Sequence, residues 1–270
     1  MTGLRTELRR MWIFTAHQLR SRWRSLTIWG VALGAMGALY VVLFPSMSTF
    51  MQEYLEQAPE SLKGFRGELQ GPMTIEQWLG MEYLSLLIPV VLPFAVMIMG
   101  ARAIAGREER KTLDLLLSNP LPRRDVVAGT VLTMAIVLAG VLAITWMLTY
   151  IAVPLAGVDL SPARLAYSLV ALWPLCLLFG VLALLLSAWV RRSAFAITIP
   201  AVILLAMYLA EVLGQAAKSM EPYRVVSLFY HVGNPVEGDF PWTAVLLMLA
   251  GVCVLTGAAV AVFQRRDVFT

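Results

Sequence analysis

Six stretches of this chain are too long, too apolar and too poor in charge to fold around a soluble core. Ser25 to Phe44 contains no Asp, Glu, Lys or Arg, and neither do 83–101, 126–153, 165–190 and 242–263. A sixth stretch, 194–214, contains one acid, Glu211. A helix of about 20 apolar residues, rising ~1.5 Å per residue, crosses the ~30 Å hydrocarbon core of a bilayer. In hydrocarbon every backbone N–H and C=O must be satisfied within its own segment, so runs of this length read as helices. Charged residues make up 14% of the chain, against about a quarter in soluble domains, and the uncharged runs account for the deficit. The expected fold is all-α: a polytopic membrane protein with six transmembrane helices, spanning about 25–44, 83–101, 126–153, 165–190, 194–214 and 242–263.

The charges sort by side. Six spans place both termini on one face of the membrane. Sixteen of the 21 Lys and Arg fall on that face, in 1–24, 102–125, after the fourth span and after the sixth. Five fall opposite: Lys63, Arg66, Arg164, Lys218 and Arg224. The acids run the other way, with six on the terminal face and eleven opposite. Lys and Arg are enriched in cytoplasmic loops, so both termini and 102–125 are expected in the cytoplasm, with 45–82 and 215–241 extracytoplasmic. The net charge of +4 therefore reflects topology, and no nucleic-acid partner is expected. A cleavable leader is not expected either, because some two dozen Arg-rich residues precede a run long enough to span.

Local patterns refine this layout. In residues 1–24, Leu4, Leu8, Met11, Trp12, Thr15, Leu19 and Trp23 recur at spacings of three and four, with most arginines off that stripe. This predicts an N-terminal amphipathic interfacial helix. Gly30 and Gly34 form a GxxxG spacing that lets another helix approach, either within the chain or across a dimer. Pro45 is expected to end the first span. Thr74 followed by Gln77 fits a capping box, and Pro89 and Pro93 predict a kink in the second span. Cys176 and Cys253 both lie in apolar runs, where free thiols serve as packing residues rather than a disulfide or metal pair.

No catalytic or nucleotide-binding centre is legible. Gly106-Arg-Glu-Glu-Arg-Lys111-Thr112 lacks the second glycine of a P-loop and follows a membrane span rather than a strand. The two histidines, His17 and His231, lie on opposite faces, and no metal site is expected. Acids or bases at mid-depth, the usual sign of an ion relay, are missing from the spans. Glu211 sits near an outer end, read either as an interface residue facing water or as the polar lining of an outward vestibule. A membrane protein without its own engine can be driven by a partner, and 102–125 is where one would dock. There Glu108, Glu109 and Asp114 alternate with Arg107, Arg110, Lys111, Arg123 and Arg124. Leu113, Leu116 and Leu117 form a ridge at helical spacing that suits a groove on a soluble subunit; a helix lying on lipid fits equally well. Pro120 breaks it, and Pro122 with Asp125 suits the first turn of the next helix.

The run from Glu108 and Glu109 through Thr112-Leu113-Asp-Leu115-Leu116-Leu117-Ser118-Asn-Pro120-Leu121-Pro-Arg123-Arg124 resembles the cytoplasmic signature of ABC-2 type transporter permeases, the transmembrane subunits of bacterial ABC exporters. Lys111 stands where that family usually has Gly, and Pro122 where Ser is common. The resemblance extends to the layout of the whole chain, implying a single ABC-2 type transmembrane domain over 1–270. It implies a permease that is not itself an enzyme, forming a translocation pathway as a dimer with a second copy or a paralogous permease. Two separate cytoplasmic ABC ATPase subunits, which would hold ATP and magnesium, would dock on the coupling residues Glu108, Glu109, Lys111, Thr112, Leu113, Leu116, Leu117, Pro120, Arg123 and Arg124. The location implied is the bacterial cytoplasmic (inner) membrane, in contact with its lipids. Candidate pathway residues are the polar and aromatic side chains within spans: Ser85, Thr145, Trp146, Tyr150, Ser168, Thr198, Tyr208 and Glu211. Few charges in the pathway would suit a hydrophobic or amphipathic cargo such as a drug, lipid or peptide. The alternatives are a non-transporting scaffold or sensor that uses the same docking loop, or a channel.

Overall fold

A computed structural model describes residues 2–57, 73–112, 122–216 and 220–266. The described residues are helical, without strands. Six helices are long and apolar enough to cross a membrane: α1 (Thr2–Gln57), α2 (Ile75–Ala103), α4 (Arg123–Ala156), α5 (Pro162–Trp189), α6 (Ser193–Ala216) and α8 (Trp242–Arg265). Two short α-helices, α3 (Ala105–Glu109) and α7 (Leu228–Val232), and a 3-10 helix over Glu221–Val226 complete the described set. This is the all-α polytopic fold read from the sequence, with longer spans than the uncharged runs.

Two boundaries differ in kind. The basic lead-in is not a separate interfacial helix but the first part of α1, and Pro45 lies inside α1 rather than ending it. Ser48 Oγ and Thr49 Oγ1 donate to the Pro45 carbonyl at 3.0 and 2.9 Å. In a lipid setting, ending a helix strands more backbone groups than running through one proline, so continuation is favoured. The lead-in stripe also divides. Thr15 and Gln18 are buried and Leu19 is partly so, while Trp12 and Trp23 face outward. The side chains of Leu4, Leu8 and Met11 lie outside the described residues.

α2 begins eight residues before the uncharged run. Its N-terminus carries the expected capping box: Gln77 N donates to Thr74 Oγ1 at 3.3 Å, and Thr74 N donates to Gln77 Oε1 at 3.1 Å. Over Leu79–Leu87, just before Pro89, the helix widens into a π segment. A ring that blocks the regular ladder is accommodated by such a local change of winding.

α5 is the hub, the most buried of the six spans, and packs against α2, α4, α6 and α8. Its contact with α2 depends on small residues. A Cβ on Gly100 would run into the backbone of Gly180 and Leu184, and one on Gly180 into Val96. α1 lies along α4. The GxxxG pair is spent on this contact within the chain: a Cβ on Gly30 would fall 2.9 Å from Ile144 Cβ, and one on Gly34 2.8 Å from Leu148 Cβ. One turn further, Gly37 leaves room for Tyr83, whose hydroxyl donates to Leu33 O at 2.9 Å and lies 3.5 Å from Thr149 Oγ1. Cys176 is buried, Cys253 is exposed, and both are free thiols.

Candidate functional site

The arginine-rich end of the bundle is held together by a polar network centred on the segment after α2. α2 breaks at Ile104, and the break frees backbone groups that need partners. Ser187 of α5 supplies them: its Oγ accepts from Ala105 N at 2.9 Å and from Ile104 N at 3.3 Å, and donates to Ala101 O at 3.0 Å. The chain then makes one helical turn, α3, and stops. Lys111 N donates to Glu108 O and Thr112 N to Arg107 O, both at 2.9 Å. These two bonds are the pair that defines a Schellman C-cap, which requires a left-handed residue between them. Lys111 is that residue, with φ 54°. It is also the position where the ABC-2 pattern usually has glycine, so the departure noted in the sequence falls on the one non-glycine among the described residues whose backbone is left-handed.

α3 presents its two acids to other helices. Glu109 caps the N-terminus of α6, accepting from Ser193 Oγ at 2.7 Å and Ser193 N at 2.8 Å. Those bonds hold its carboxyl below the ordinary range, because they favour the charged form. Glu108 accepts from Arg266 at 2.5 Å and lies 3.7 Å from Arg191. Arg266 also donates to Ala188 O at 3.0 Å and Ser187 O at 3.2 Å, satisfying the final carbonyls of α5. Arg123, at the start of α4, does the same for α8. Its Nη1 donates to Phe263 O, Gln264 O and Arg266 O at 2.8, 3.1 and 2.6 Å, with the guanidinium 5.4 Å from the Phe263 ring. Pro122 is the N-cap of α4, and Asp125 lies in its first turn, where a negative charge suits the helix dipole. A cationic side chain on terminal carbonyls is the converse arrangement.

Beside this network, Arg22 of α1 meets Arg102, Arg107 and Arg110 around a recess of about 430 Å³. Burial lowers the Arg107 guanidinium from its usual value. Sequence periodicity gave no hint of this convergence, since Arg22 and Arg102 lie on helices distant in the chain.

The expected coupling residues thus divide. Glu108, Glu109 and Arg123 make ties within the chain, and Lys111 and Thr112 are exposed around the helix stop. Arg124 is exposed, 3.6 Å from Asp125. Leu113, Leu116, Leu117 and Pro120 lie outside the described residues.

The opposite end holds a second polar cluster. Glu211 is 8% exposed and pairs with Arg224 at 2.6 Å, so its reading as a residue facing water is corrected. Gln215 Nε2 donates to the same oxygen at 2.8 Å. The hydrogen bond to Glu211 raises the Arg224 guanidinium above its usual value. Three of the expected pathway residues, Ser85, Tyr208 and Glu211, line one cavity here of about 340 Å³. The other five do not join them. Trp146 donates its indole N–H to Pro162 O at 3.1 Å and stacks on Tyr150 at 5.6 Å. Ser168 and Thr198 return their hydroxyls to their own helices, at Arg164 O and Ala194 O. Thr145 is fully buried. Asn234 and Arg224 also line the cavity; neither was among the expected pathway residues, because they lie outside the apolar runs.

No curated protein matches the chain. The model of the ABC-2 family transporter protein family matches residues 11–268, which takes in all the membrane-length helices except the first turns of α1. Together with the six spans, that match assigns the chain to the ABC-2 transporter family, as a multi-pass membrane permease of an ABC transporter.

Proposed function

We propose that this permease forms an export pathway as a dimer, driven by two cytoplasmic ABC ATPases that dock on the segment between α2 and α4. Membership of the family implies association with ABC ATPase subunits. The observation that carries the docking position is the network around α3. Through Ser187, Glu109, Glu108 and Arg266, a push on this one turn reaches α5, α6 and α8 directly. A partner that binds its two states with different affinity would shift the equilibrium between inward and outward arrangements of those helices. ATP and magnesium belong to the partner in this reading. The sorting of Lys and Arg supports a cytoplasmic position for this end, in a bacterial inner membrane.

The cargo is hydrophobic or amphipathic, since the spans offer few charges to a polar solute. Co-purification tests the docking: Leu113→Asp combined with Leu116→Asp is expected to abolish ATPase association while membrane insertion stays normal. Retained association in the inserted double variant would refute the docking role.

A further inference from the structure

Among the described residues, six buried side-chain polar atoms have no hydrogen-bond partner, and three of them belong to residues lining one cavity. They are Glu211 Oε2, Arg224 Nε and Asn234 Oδ1. The cavity lies between α2, α6 and the segment carrying α7. Neighbouring atoms of the same side chains already have partners. Glu211 Oε1 takes Arg224 and Gln215, and Asn234 Nδ2 donates to Glu237 at 2.7 Å. What remains unused is two acceptors and one donor, on three residues that line a space of about 340 Å³. Buried polar atoms are almost always satisfied by protein, water or ligand, and each one left bare costs about 1–3 kcal/mol.

The chemistry of a matching guest follows from that inventory. Glu211 and Arg224 cancel each other's charge, so a simple cation or simple anion gains little net attraction. A guest that carries a donor-rich cationic group beside an acceptor oxygen can satisfy all three atoms. Tyr208, Phe229 and Tyr230 add aromatic wall, which favours a cation. We infer that this cavity binds a primary ammonium adjacent to an acceptor oxygen. That group occurs at the aminoacyl end of amino acids and peptides, and in ethanolamine phosphate headgroups. A quaternary ammonium is excluded because it has no N–H for Glu211 Oε2 and Asn234 Oδ1. That the occupant is cargo rests on the export reading. The binding itself does not, and it is tested on this chain without an ATPase.

The protein is held in phosphatidylcholine nanodiscs, which contain no primary amine, and affinities are read by saturation-transfer NMR. Leucinamide and phosphoethanolamine are the probes, with N-acetyl-leucinamide and phosphocholine as their matched controls. At least one amine is expected to bind about tenfold or more tighter than its control, the worth of one charge-assisted hydrogen bond. Preference for leucinamide assigns the aminoacyl source, and preference for phosphoethanolamine the lipid headgroup. Glu211→Gln and Asn234→Ala are each expected to weaken the favoured probe about tenfold. Asn234→Ala leaves the Glu211–Arg224 pair in place. Binding by neither amine, equal binding by the controls, or unchanged affinity in both variants would overturn the assignment. The comparison between matched probes on the unaltered chain decides the matter even where a variant fails to fold.

Discussion

Arg266 places its Nη2 2.5 Å from Glu108 Oε2, joining residues 158 positions apart. Arg266 is 14% exposed at its side chain and Glu108 30%, so the pair is partly shielded from solvent and stronger than an open surface pair. Arg266→Ala removes the pair and also frees the Ser187 and Ala188 carbonyls. We expect a loss of about 2–3 kcal/mol in detergent unfolding, because buried partners are left unsatisfied. Glu108→Gln keeps a hydrogen bond and is expected to cost under about 1 kcal/mol. The double variant should show a coupling of about 1 kcal/mol or more; strictly additive losses would mean the two side chains do not act together.

Lys111 occupies the left-handed position of the helix stop after α3. Lys111→Gly is expected to stabilise the chain by up to about 1 kcal/mol, the strain relief being partly offset by a freer unfolded chain. Lys111→Val should destabilise it, since a branched side chain is least tolerated there. Thermal melting of the three proteins checks the order Gly, Lys, Val, and any other order contradicts the C-cap assignment.

Ser187 is the sole side chain recorded on the amides of Ile104 and Ala105 among the described residues. Ser187→Ala should speed hydrogen exchange at those two amides while leaving the middle of α5 protected. It should also lower stability by about 1–3 kcal/mol, the cost of unsatisfied buried groups. Exchange that speeds equally along α5 would point to global loosening instead.

Glu109 has a lowered carboxyl pKa in the folded chain, caused first by the Ser193 hydroxyl and then by the Ser193 amide. A lowered folded value means the cap contributes fully above the ordinary value of 4.5 and is lost as pH falls through the folded value. The Ser193 amide resonance should therefore titrate below pH 4.5. In Ser193→Ala the Glu109 titration should move up towards the ordinary value. A midpoint unchanged by that substitution would separate the shift from the cap.

The six spans were legible because hydrocarbon permits few alternatives to a helix and the runs hold a single charge among them, Glu211. Their ends were less so. Pro45 reads as a stop in water, yet α1 continues through it, because the surroundings penalise exposed backbone more than one missing bond. The capping box at Thr74 was legible from two residue types at a fixed spacing. The segment after α2 was singled out by its motif, but the inward ties of Glu108 and Glu109 were not legible, since their partners Arg266 and Ser193 follow from tertiary packing. Glu211 was noticed as the lone acid in a span. Its partner Arg224, and Asn234 on the wall of the same cavity, were hidden in a stretch that looked like ordinary polar loop.

One consequence follows from the unbroken course of α1 over 56 residues. A straight helix of that length is about 84 Å long, far more than the bilayer core is thick. Seated against α4 at Gly30 and Gly34, a rod of that length would behave as a lever under load. A tilt of about 10° around its midpoint would carry each tip through roughly 7 Å, in opposite directions. Displacement applied at the arginine-rich face would emerge at the other face without a joint between them.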